Sequence, residues 1–409
     1  MTDRHYDIVL YGASGFVGRL TARYLAAAAP PNTRIALGGR SRAKLEDLRS
    51  QIGAPASEWG VVEADSADRR ALDDLARSST VVATTVGPYA RYGRELLSAC
   101  AAGGTHYADL TGELLFVRDS IAAAQSEAER SGARIVHSCG YDSVPSDIGV
   151  LVLHERAVAD GAGELTDTVL TARGKGGFSG GTVDSLRNQV DAVRRDPSLR
   201  TILSDPYALS PDRGAEPTII DEPDMFLPRQ DPMLGQWVAP FVMGPYNTRI
   251  VRRSNALTGW SYGRFFRYRE VMAFGAGPVG AALASGMTGA LAVMGASMGF
   301  PPARPLLDRI LPSPGEGPSQ ATMDRGSFRS DIHSLTSGGA RLHGVVAAQG
   351  DPGYKATAVM LGESALALAF DGSRLPDRAG VLTPATGIGT VLAERLRSAG
   401  FTIEVASGS

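Results

Sequence analysis

Three glycines at a spacing of three residues follow a short apolar run near the amino terminus, in Tyr11-Gly12-Ala13-Ser14-Gly15-Phe16-Val17-Gly18. In a strand–turn–helix unit, glycines at this spacing allow a tight turn, close approach of the backbone to a pyrophosphate, and close packing of helix on strand. The first N–H groups of the helix then face the phosphates at the positive end of the helix dipole. A bare structural turn is the alternative. The pattern predicts a dinucleotide site whose contact residues are Gly12, Ser14, Gly15, Phe16, Val17 and Gly18.

The end of the second predicted strand indicates which dinucleotide fits. An NAD site usually has an acidic residue there, which binds the ribose hydroxyls. This chain has Arg40-Ser41-Arg42 instead. Because a guanidinium pairs well with a 2′-phosphate, Arg40 and Arg42 predict NADPH, the alternative being surface arginines at a helix capped by Ser41. Asp65, after the third strand, is predicted either to reach the adenine amino group or to cap the next helix.

The fourth predicted strand is followed by Val86-Gly87-Pro88-Tyr89. In open α/β sheets, ligands bind beyond the carboxyl ends of the strands. This loop is therefore predicted to pass beside the nicotinamide ribose, although a simple Gly-Pro turn would give the same letters.

The elements that must position these residues are an alternation of apolar runs and helical stretches. That alternation is typical of an α/β fold, a Rossmann doubly wound parallel sheet, followed here by a second α+β domain. We predict a Rossmann domain over residues 1–148, a substrate domain over 149–374, and a segment, 375–409, that packs back onto the first domain. Strands are expected at 7–10, 34–37, 61–62, 81–86, 106–110, 134–137, 166–172, 247–255 and 341–349, and helices at 146–159, 182–195, 357–369 and 390–398.

Composition excludes several classes. The 41 basic and 43 acidic residues are balanced, so no nucleic-acid partner is expected. The spacing of Cys100 and Cys139 fits neither a disulfide framework nor a zinc site, and no metal site is expected. The first residues lack the pattern of a signal peptide. We therefore expect a cytoplasmic protein, with peripheral contact at the inner face of the membrane and a homodimer left open.

Residues 271–303 contain no charged side chain, which passes the length test for a membrane span. Seven of them are glycine, and Gly295 and Gly299 have a spacing that allows close helix approach. Three interpretations stay open: a spanning helix, a buried helical hairpin, and an apolar surface that touches lipid or a long acyl chain. In the last case, arginines beside the segment would lie at headgroup level: Arg264, Arg267, Arg269 and Arg304.

Motifs spread from residue 6 to about residue 390 resemble a known family. The segments are GASGFVG, GGRSRAKL, VVATTVGPYARYG, GTHYADLTGE, CGYDSVPSD, KGGFSGGT, GDPGYKATAVMLGESALALA and GVLTPATG. They resemble the saccharopine dehydrogenase-like oxidoreductases and are most similar to the actinobacterial trans-acting enoyl reductases that serve polyketide synthases in long-chain wax-lipid synthesis. The resemblance implies NADPH between a Rossmann domain and an α+β domain, a thioester or carrier-bound acyl substrate, and a polyketide synthase as partner.

Reducing an enoyl thioester requires a hydride at the β-carbon, a donor for the enolate oxygen and a proton for the α-carbon. Tyr141 and Asp142 follow the last Rossmann strand, where the two domains should meet, and a tyrosine is a neutral donor at pH 7; Asp142 could instead cap the next helix. Lys175, in a glycine-rich loop, could hold a carbonyl oxygen or a phosphate, or be a solvated surface lysine. His106 and His137 are expected to be structural.

Three other functions compete with this reading. An imine-reducing dehydrogenase like saccharopine dehydrogenase would need an arginine-rich pocket. Arg249, Arg252 and Arg253 offer such arginines, although alternation on a strand would separate Arg252 from the other two. A lipid-associated protein could keep the nucleotide fold without turnover. A hydrolase is disfavoured, because the two GxSxG strings, around Ser179 and Ser297, lie in a long loop and in the uncharged segment rather than in a sharp elbow.

Overall fold

The computed structural model describes residues 4–176, 180–217, 224–300 and 317–408, together with Pro302. In these residues the chain forms two lobes, each built around a seven-stranded sheet. The α/β class is confirmed, with a Rossmann sheet in the first lobe and a mixed sheet in the second.

The strands, numbered along the chain, are β1 (Tyr6–Tyr11), β2 (Ile35–Gly39), β3 (Gly60–Glu63), β4 (Ser79–Thr84), β5 (His106–Ala108), β6 (Arg134–Val136), β7 (Leu165–Lys175), β8 (Arg229–Gln230), β9 (Trp237–Pro240), β10 (Arg267–Ala273), β11 (Ser327–Thr336), β12 (Arg341–Gln349), β13 (Gly380–Leu382) and β14 (Thr402–Gly408).

The helices are α1 (Phe16–Ala28), α2 (Arg42–Ile52), α3 (Arg69–Ser78), α4 (Tyr89–Tyr92), α5 (Arg94–Gly103), α6 (Leu114–Ser131), α7 (Val144–Ala159), α8 (Gly180–Arg195), α9 (Leu199–Ser204), α10 (Gly244–Leu257), α11 (Gly277–Gly299), α12 (Gln320–Arg325), α13 (Thr357–Phe370), α14 (Pro384–Gly387) and α15 (Thr390–Ser398). A π-helical turn, Pro352–Ala356, leads into α13.

The first sheet is parallel throughout, in the order β13-β6-β5-β4-β1-β2-β3. Its central strands are apolar on both faces, as buried parallel strands must be: Ile8 and Leu10 of β1 face one apolar cluster, and Val9 and Tyr11 face the other. The strand order reverses between β1 and β4. In doubly wound sheets the ligand crevice opens at this switch point, beyond the carboxyl ends of the strands.

The second sheet has the order β14-β12-β11-β7-β10-β9-β8. Helix α7 packs on its β11–β12 part, and α10 packs on β10. The close approach of α7 requires a glycine, because a Cβ on Gly149 would lie 2.4 Å from Ile332 Cδ1. One apolar cluster runs from Leu10 in the first sheet through Met360 of α13 and Ile148 of α7 to Ile332 in the second sheet. The two lobes therefore share a core, which fixes the cleft between them.

Residues 375–408 divide between the two sheets. Strand β13 pairs with β6 in the first sheet, with Val381 opposite Ile135, whereas β14 pairs with β12 in the second sheet. Helix α15 lies between them and packs on both α13 and α7. This segment thus contributes to both lobes.

Two expectations for the second half are wrong. The strand predicted over residues 247–255 is part of helix α10, and every residue from Asn247 to Ala256 is buried. The uncharged segment is not a buried helical hairpin: residues 271–273 end β10, and residues 277–299 form the single helix α11, which is largely exposed. Ala303 and Arg304 lie outside the described residues.

Candidate cofactor and active site

The three glycines of the first turn form a cradle that side chains would fill. Gly12 has a φ of +85°, and a Cβ there would lie 2.7 Å from Val86 Cγ2 of the loop after β4. A Cβ on Gly18 would lie 2.2 Å from the Gly12 carbonyl oxygen, so only glycine lets α1 pack so closely on the turn. Gly15 is exposed, and its nearest neighbour for a Cβ is that same oxygen at 3.3 Å. The space above Gly15 is therefore open.

Helix α1 begins at this open position. Gly15 precedes the helix and offers no capping side chain, and no acidic residue lies in the first turn. The first N–H groups of a helix have no acceptor within it. Ser14, Phe16 and Val17 are half-buried around them. A turn with free N–H groups, an open glycine and no competing carboxylate fits a pyrophosphate.

The second lobe reaches this turn at Phe16. The ring of Tyr354 lies edge-to-face on the ring of Phe16, with centroids 5.0 Å apart. A Cβ on Gly317 would lie 2.3 Å from the Phe16 ring. The Tyr354 hydroxyl accepts a hydrogen bond from Gly180 N, at the start of α8, at 3.1 Å. Phe16 thus contacts the second lobe while its backbone faces the predicted phosphate position.

Arg40 and Arg42 follow β2, and both are exposed. Arg42 lies within ion-pair reach of Glu46 at 3.7 Å and of Glu63 at 3.6 Å, and no ion pair of Arg40 occurs among the described residues. Burial and the Asp65 carboxylate raise the pKa of Tyr11 to about 12, and the nearby Arg40 opposes them. Arg40 and Asp65 therefore lie close to each other and to Tyr11, beyond the ends of β1–β3.

Asp65 does not cap the following helix. Its Oδ1 accepts a hydrogen bond from Ala67 N at 2.9 Å within the turn, and Asp68 caps α3 by accepting from Ala71 N at 3.1 Å. Asp65 is exposed. Its second carboxylate oxygen can still accept a hydrogen bond from a ligand such as an adenine amino group.

The loop after β4 lies directly beside the glycine turn. Val86 covers Gly12, and Thr85 Oγ1 donates to the Gly12 carbonyl oxygen at 3.1 Å. Gly87 is exposed and Pro88 is half-buried, so both can contact a bound ring. Tyr89 differs from the prediction in its side chain, which is buried: its hydroxyl donates to Thr84 O and accepts from Leu110 N, both at 3.1 Å. Only the backbone of Tyr89 remains near the crevice.

Asp109, which the sequence did not single out, holds the ends of β5 and β6 together. Its buried carboxylate accepts hydrogen bonds from Tyr107 OH at 3.0 Å, Ser138 N at 2.9 Å and Thr111 N at 3.1 Å, and it contacts His137 Nδ1 at 2.7 Å. Ser138 has a φ of +63°, which a side chain adopts only where its surroundings require it. His137 is structural in this arrangement. His106 is half-buried in β5, and desolvation lowers its pKa to about 4.

Asp109 thereby brings the turn that carries Tyr141 and Asp142 to the crevice. The Asp142 carboxylate lies beside Gly112 and Gly140, where a Cβ on either glycine would be 3.4 Å from one of its oxygens. Asp142 is half-buried, and desolvation, with a smaller contribution from the Asp109 charge, raises its pKa to about 7. It can therefore hold a proton near neutral pH. Asp142 does not cap α7 through its side chain, since no capping hydrogen bond occurs at the start of that helix.

Tyr141 lies against Phe328 of β11, with ring centroids 5.0 Å apart, and its N–H donates to Thr357 Oγ1 at 3.0 Å. Among the described residues none hydrogen-bonds its hydroxyl. Burial, followed by the charges of Glu270 and Asp142, raises the pKa of Tyr141 above its usual value. Tyr141 is thus a neutral donor at physiological pH, positioned between the two lobes.

Glu270 is a second buried acid near Tyr141 that sequence analysis missed. Its carboxylate accepts from Asn247 Nδ2 at 2.8 Å and from Tyr268 OH at 2.7 Å, and Ser143 Oγ donates to Asn247 Oδ1 at 3.0 Å. Desolvation raises the pKa of Glu270 to about 7 in spite of these donors. A hydrogen-bonded chain thus links the turn that carries Tyr141 to a carboxyl group that titrates near neutrality.

Glu270 also lines a cavity of about 440 Å³. It is bounded by β10, α10 and the segment before β9, and its wall includes Phe241, Thr248 and Arg252. This cavity gives solvent a route to Glu270. The Glu270 carboxyl can exchange its proton with solvent in this cavity.

Lys175 is not brought to this cluster. It is the last residue of β7, exposed, and it pairs with Ser327 of β11. Phe328, the next residue of β11, faces Tyr141. Because neighbouring residues of a strand point to opposite faces, Lys175 lies on the opposite face of the sheet from Tyr141. The residues that follow, 177–179, which include Ser179 of one GxSxG string, lie outside the described residues.

Helix α8 crosses the carboxyl edge of the first sheet. Its start is bonded to Tyr354, as described above, and farther along Ser185 Oγ donates to Glu113 Oε1 at 3.0 Å, while Gln189 Oε1 accepts from Leu114 N at 3.1 Å. Glu113 in turn accepts from Tyr89 N and Ala90 N, at 2.8 and 3.0 Å. The helix therefore covers the crevice where a nicotinamide ring is expected.

The arginines of α10 are used within the protein. Arg249 forms an ion pair with Asp224 and donates to the carbonyl oxygens of Asp205 and Leu203. Arg253 donates to the carbonyl oxygens of Leu209 at 2.7 Å and Val381 at 2.6 Å. Arg252 donates to Tyr268 O at 3.0 Å. All three arginines of α10 thus donate hydrogen bonds to groups of the protein itself. Across the described part of the chain, no cluster of three metal-ligating side chains occurs.

Comparison with known proteins agrees with this geometry. Residues 8–136 match the family model described as the saccharopine dehydrogenase NADP binding domain. A Mycobacterium tuberculosis protein named, provisionally, a trans-acting enoyl reductase is 49% identical over 98% of each chain. A protein named trans-acting enoyl reductase from Mycobacterium bovis is 45% identical over 97% of each chain. One with the same name from Mycobacterium ulcerans is 44% identical over 98% of this chain and 97% of that protein.

A solved structure also shares the fold. The apo saccharopine dehydrogenase (L-Glu forming) of Saccharomyces cerevisiae superimposes with a TM-score of 0.55 at 14% identity, over 98% of this chain and 99% of that one. By identity and coverage, the chain belongs to the trans-acting enoyl reductases of the saccharopine dehydrogenase-like family. It is an oxidoreductase whose first lobe is a nicotinamide-dinucleotide-binding domain.

Proposed function

We propose that this member of the family is an NADPH-dependent reductase of a carbon–carbon double bond in a long-chain, polyketide-type acyl thioester, acting in trans with a polyketide synthase in lipid biosynthesis. The observation that carries the proposal is the open glycine turn at the sheet's switch point, and it is supported by Tyr141 and Asp142, which follow β6 at the same carboxyl edge of the sheet. The names of the relatives support the substrate class and the partner. A cytoplasmic location is also proposed, supported by two cysteines that are buried and free.

The cofactor's residues are assigned from the cradle. The N–H groups at Phe16 and Val17 would bind the pyrophosphate, and Arg40 would bind the 2′-phosphate. Asp65 would accept from the adenine amino group. Bound NADPH supplies the hydride for the β-carbon of the substrate.

The chain's own residues handle the oxygen and the proton. The free hydroxyl of Tyr141 would donate a hydrogen bond to the thioester oxygen as it gains enolate character, and a neutral phenol suits this task because burial keeps it protonated. Asp142, whose pKa is about 7, would deliver the proton to the α-carbon. Helix α8 would exclude water from the crevice.

The structure favours this substrate over a saccharopine-like imine. An imine substrate with several carboxylates needs free arginines, and the arginines of α10 are bonded to Asp224 and to carbonyl oxygens. The apolar helix α11, which contacts α8, suits a long acyl chain better.

The test is consumption of NADPH by the purified protein. A long-chain trans-2-enoyl thioester should be reduced, while a matched saturated thioester and an imine formed from an amino acid and a 2-oxo acid should not. NADPH binding without consumption on any enoyl thioester, including a carrier-bound one, would instead support a lipid-associated protein without turnover.

A further inference from the structure

Helix α11 exposes more apolar surface than a soluble domain normally does. It has 23 residues, which is about 34 Å of helix, and by length and composition it could cross a membrane. Only Gly280, Ala284 and Met298 are buried along it. Val279 is 72% exposed and Val293 is 66% exposed. A contiguous exposed apolar patch of this kind marks an interaction site.

One narrow seam of α11 packs on the protein and the rest faces outward. The less exposed residues recur at helical spacing, at Gly280, Ala284, Thr288, Leu291 and Met298. This seam packs on β9 and also meets α8 and β8. Because the helix lies along the second lobe over its length, it rests on the protein surface and does not project from it. This orientation favours a helix lying parallel to a surface over a perpendicular membrane span, and it leaves a broad face to the outside.

The outward face is apolar and lacks acidic residues. On a helical wheel of 100° per residue, its exposed large side chains, Val279, Leu283, Met287 and Val293, fall within one sector of about 120°. No charged residue occurs between Val271 and Phe300. Such a face offers no charged group to water or to a polar partner.

The glycines of α11 do not mediate a contact within the described chain. A Cβ on Gly286, Gly289, Gly295 or Gly299 would meet no atom within 4 Å. The spacing of Gly295 and Gly299 therefore packs no neighbouring helix in the described residues. Gly286 falls within the outward sector, where it adds no side chain to the apolar face.

The side of this face that borders β8 is apolar and basic. Strand β8 contacts α11, and just before it Phe226 and Leu227 are 70% and 74% exposed. Arg229, in β8, is also exposed. Aromatic and aliphatic side chains beside an arginine are the composition of a surface that enters the headgroup region of an anionic bilayer.

We propose that α11, with Phe226, Leu227 and Arg229, docks the protein on the surface of an anionic lipid bilayer, the helix lying in the membrane plane with its outward face in the acyl region. The composition favours lipid over a second protein, because no residue of α11 is charged and the charged residue in the neighbouring strand β8 is a cation, Arg229. Helix α11 also contacts α8, so a bilayer on the outward face would lie close to the helix that covers the crevice. The inference rests on the proposed function and adds to it the place where the protein would take up its acyl substrate.

The test is flotation of the full chain with vesicles of phosphatidylglycerol and phosphatidylcholine in equal amounts, without substrate. The wild-type protein should float with the vesicles. Leu283→Glu combined with Val293→Glu should lower the vesicle-bound fraction at least about tenfold, because two apolar side chains are replaced by charges on the inserting face. Val158→Glu is the matched control, since Val158 is 62% exposed at the end of α7, and it should float like the wild type.

NADPH affinity, measured on all three proteins, should be equal, which shows that the double variant is folded. The proposal is overturned if the wild type stays with the unbound protein, or if the double variant floats equally well. It is also overturned if the wild type is a dimer in solution that the double variant converts to a monomer, since a second copy would then cover the face. None of these readouts uses turnover, so a failure of the reductase assignment would be seen separately.

Discussion

Gly15→Ala separates cofactor binding from folding more cleanly than any other change in the glycine turn. The backbone of Gly15 has φ −71° and ψ 169°, which alanine adopts without strain, and a Cβ would meet only the Gly12 carbonyl oxygen at 3.3 Å. A glycine-to-alanine change at a compatible site alters the free energy of unfolding by about 0.4–1 kcal/mol, in the stabilising direction. The slight crowding at 3.3 Å would offset part of that gain, so we expect stability within about 1 kcal/mol of the wild type.

The same methyl group would project into the space that the pyrophosphate must enter. We expect NADPH to bind at least about tenfold more weakly, which is a loss of about 1.4 kcal/mol. Gly12→Ala would behave differently. Its positive φ costs about 1–2 kcal/mol in any non-glycine residue, and the overlap with Val86 and Thr85 adds to that, so this variant should lose stability as well as binding.

The assay is titration calorimetry with NADPH beside chemical denaturation of the same samples. Gly103→Ala is the control, because a Cβ there meets Thr105 Oγ1 at 3.5 Å and the residue lies at the opposite edge of the first sheet, before β5. That variant should bind NADPH like the wild type. If Gly15→Ala bound NADPH with unchanged affinity, the backbone of the turn would not approach the phosphates, and the assignment of the site would fail.

Four further outcomes are expected. Arg40→Glu should weaken NADPH binding far more than NADH binding, and equal losses by fluorescence titration would rule out a 2′-phosphate contact. Tyr141→Phe should lower kcat with the Kd for NADPH kept, so unchanged kcat would remove Tyr141 from the reaction. Because the Asp142 carboxyl must hold its proton, and its pKa is about 7, kcat should fall as pH rises through that value. Asp142→Asn should abolish this fall and, by removing the desolvated charge, raise stability in alkaline buffer. A fall in kcat that persists in the variant would assign the titration to another group. Glu270→Gln keeps the hydrogen-bonded shape and should shift the pH profile with little change in KM, whereas a change in KM alone would make Glu270 a purely structural residue.

The first lobe could be predicted from the sequence because its signals are local. Glycines at 12, 15 and 18 mark the turn, and the apolar strands repeat at βαβ spacing. The helix at residues 390–398 was also predicted with the bounds that the structure has. Each of these features depends on a few neighbouring residues.

The second lobe was harder to predict because burial hides the period of an element. Helix α10 is buried on all sides, including its arginines, so no polar face reveals a period of 3.6 residues. Pro245, in its first turn, is the local signal that favours a helix start. For α11 the sequence showed the absence of charge but could not show which side faces water.

The positions of some candidate site residues were predicted, and their roles stay predictions. The turn at Tyr141 and Asp142 lies where the sequence placed it, at the meeting of the lobes, whereas Lys175 lies on the opposite face of the second sheet. Asp109 and Glu270 have no local signal: their importance comes from partners distant in sequence, His137 for Asp109 and Asn247 for Glu270. Only the folded chain shows that Glu270 neighbours Tyr141.

The most direct test of the reductase assignment follows one deuterium from cofactor to product. NADPH carrying deuterium at the transferring position of nicotinamide C4 is incubated with the protein and a long-chain trans-2-enoyl thioester, and the product is analysed by mass spectrometry and NMR. We predict a saturated thioester with one deuterium at the β-carbon and a solvent-derived proton at the α-carbon. An unlabelled product, a product reduced at the carbonyl carbon, or no product with any thioester tested would contradict the account.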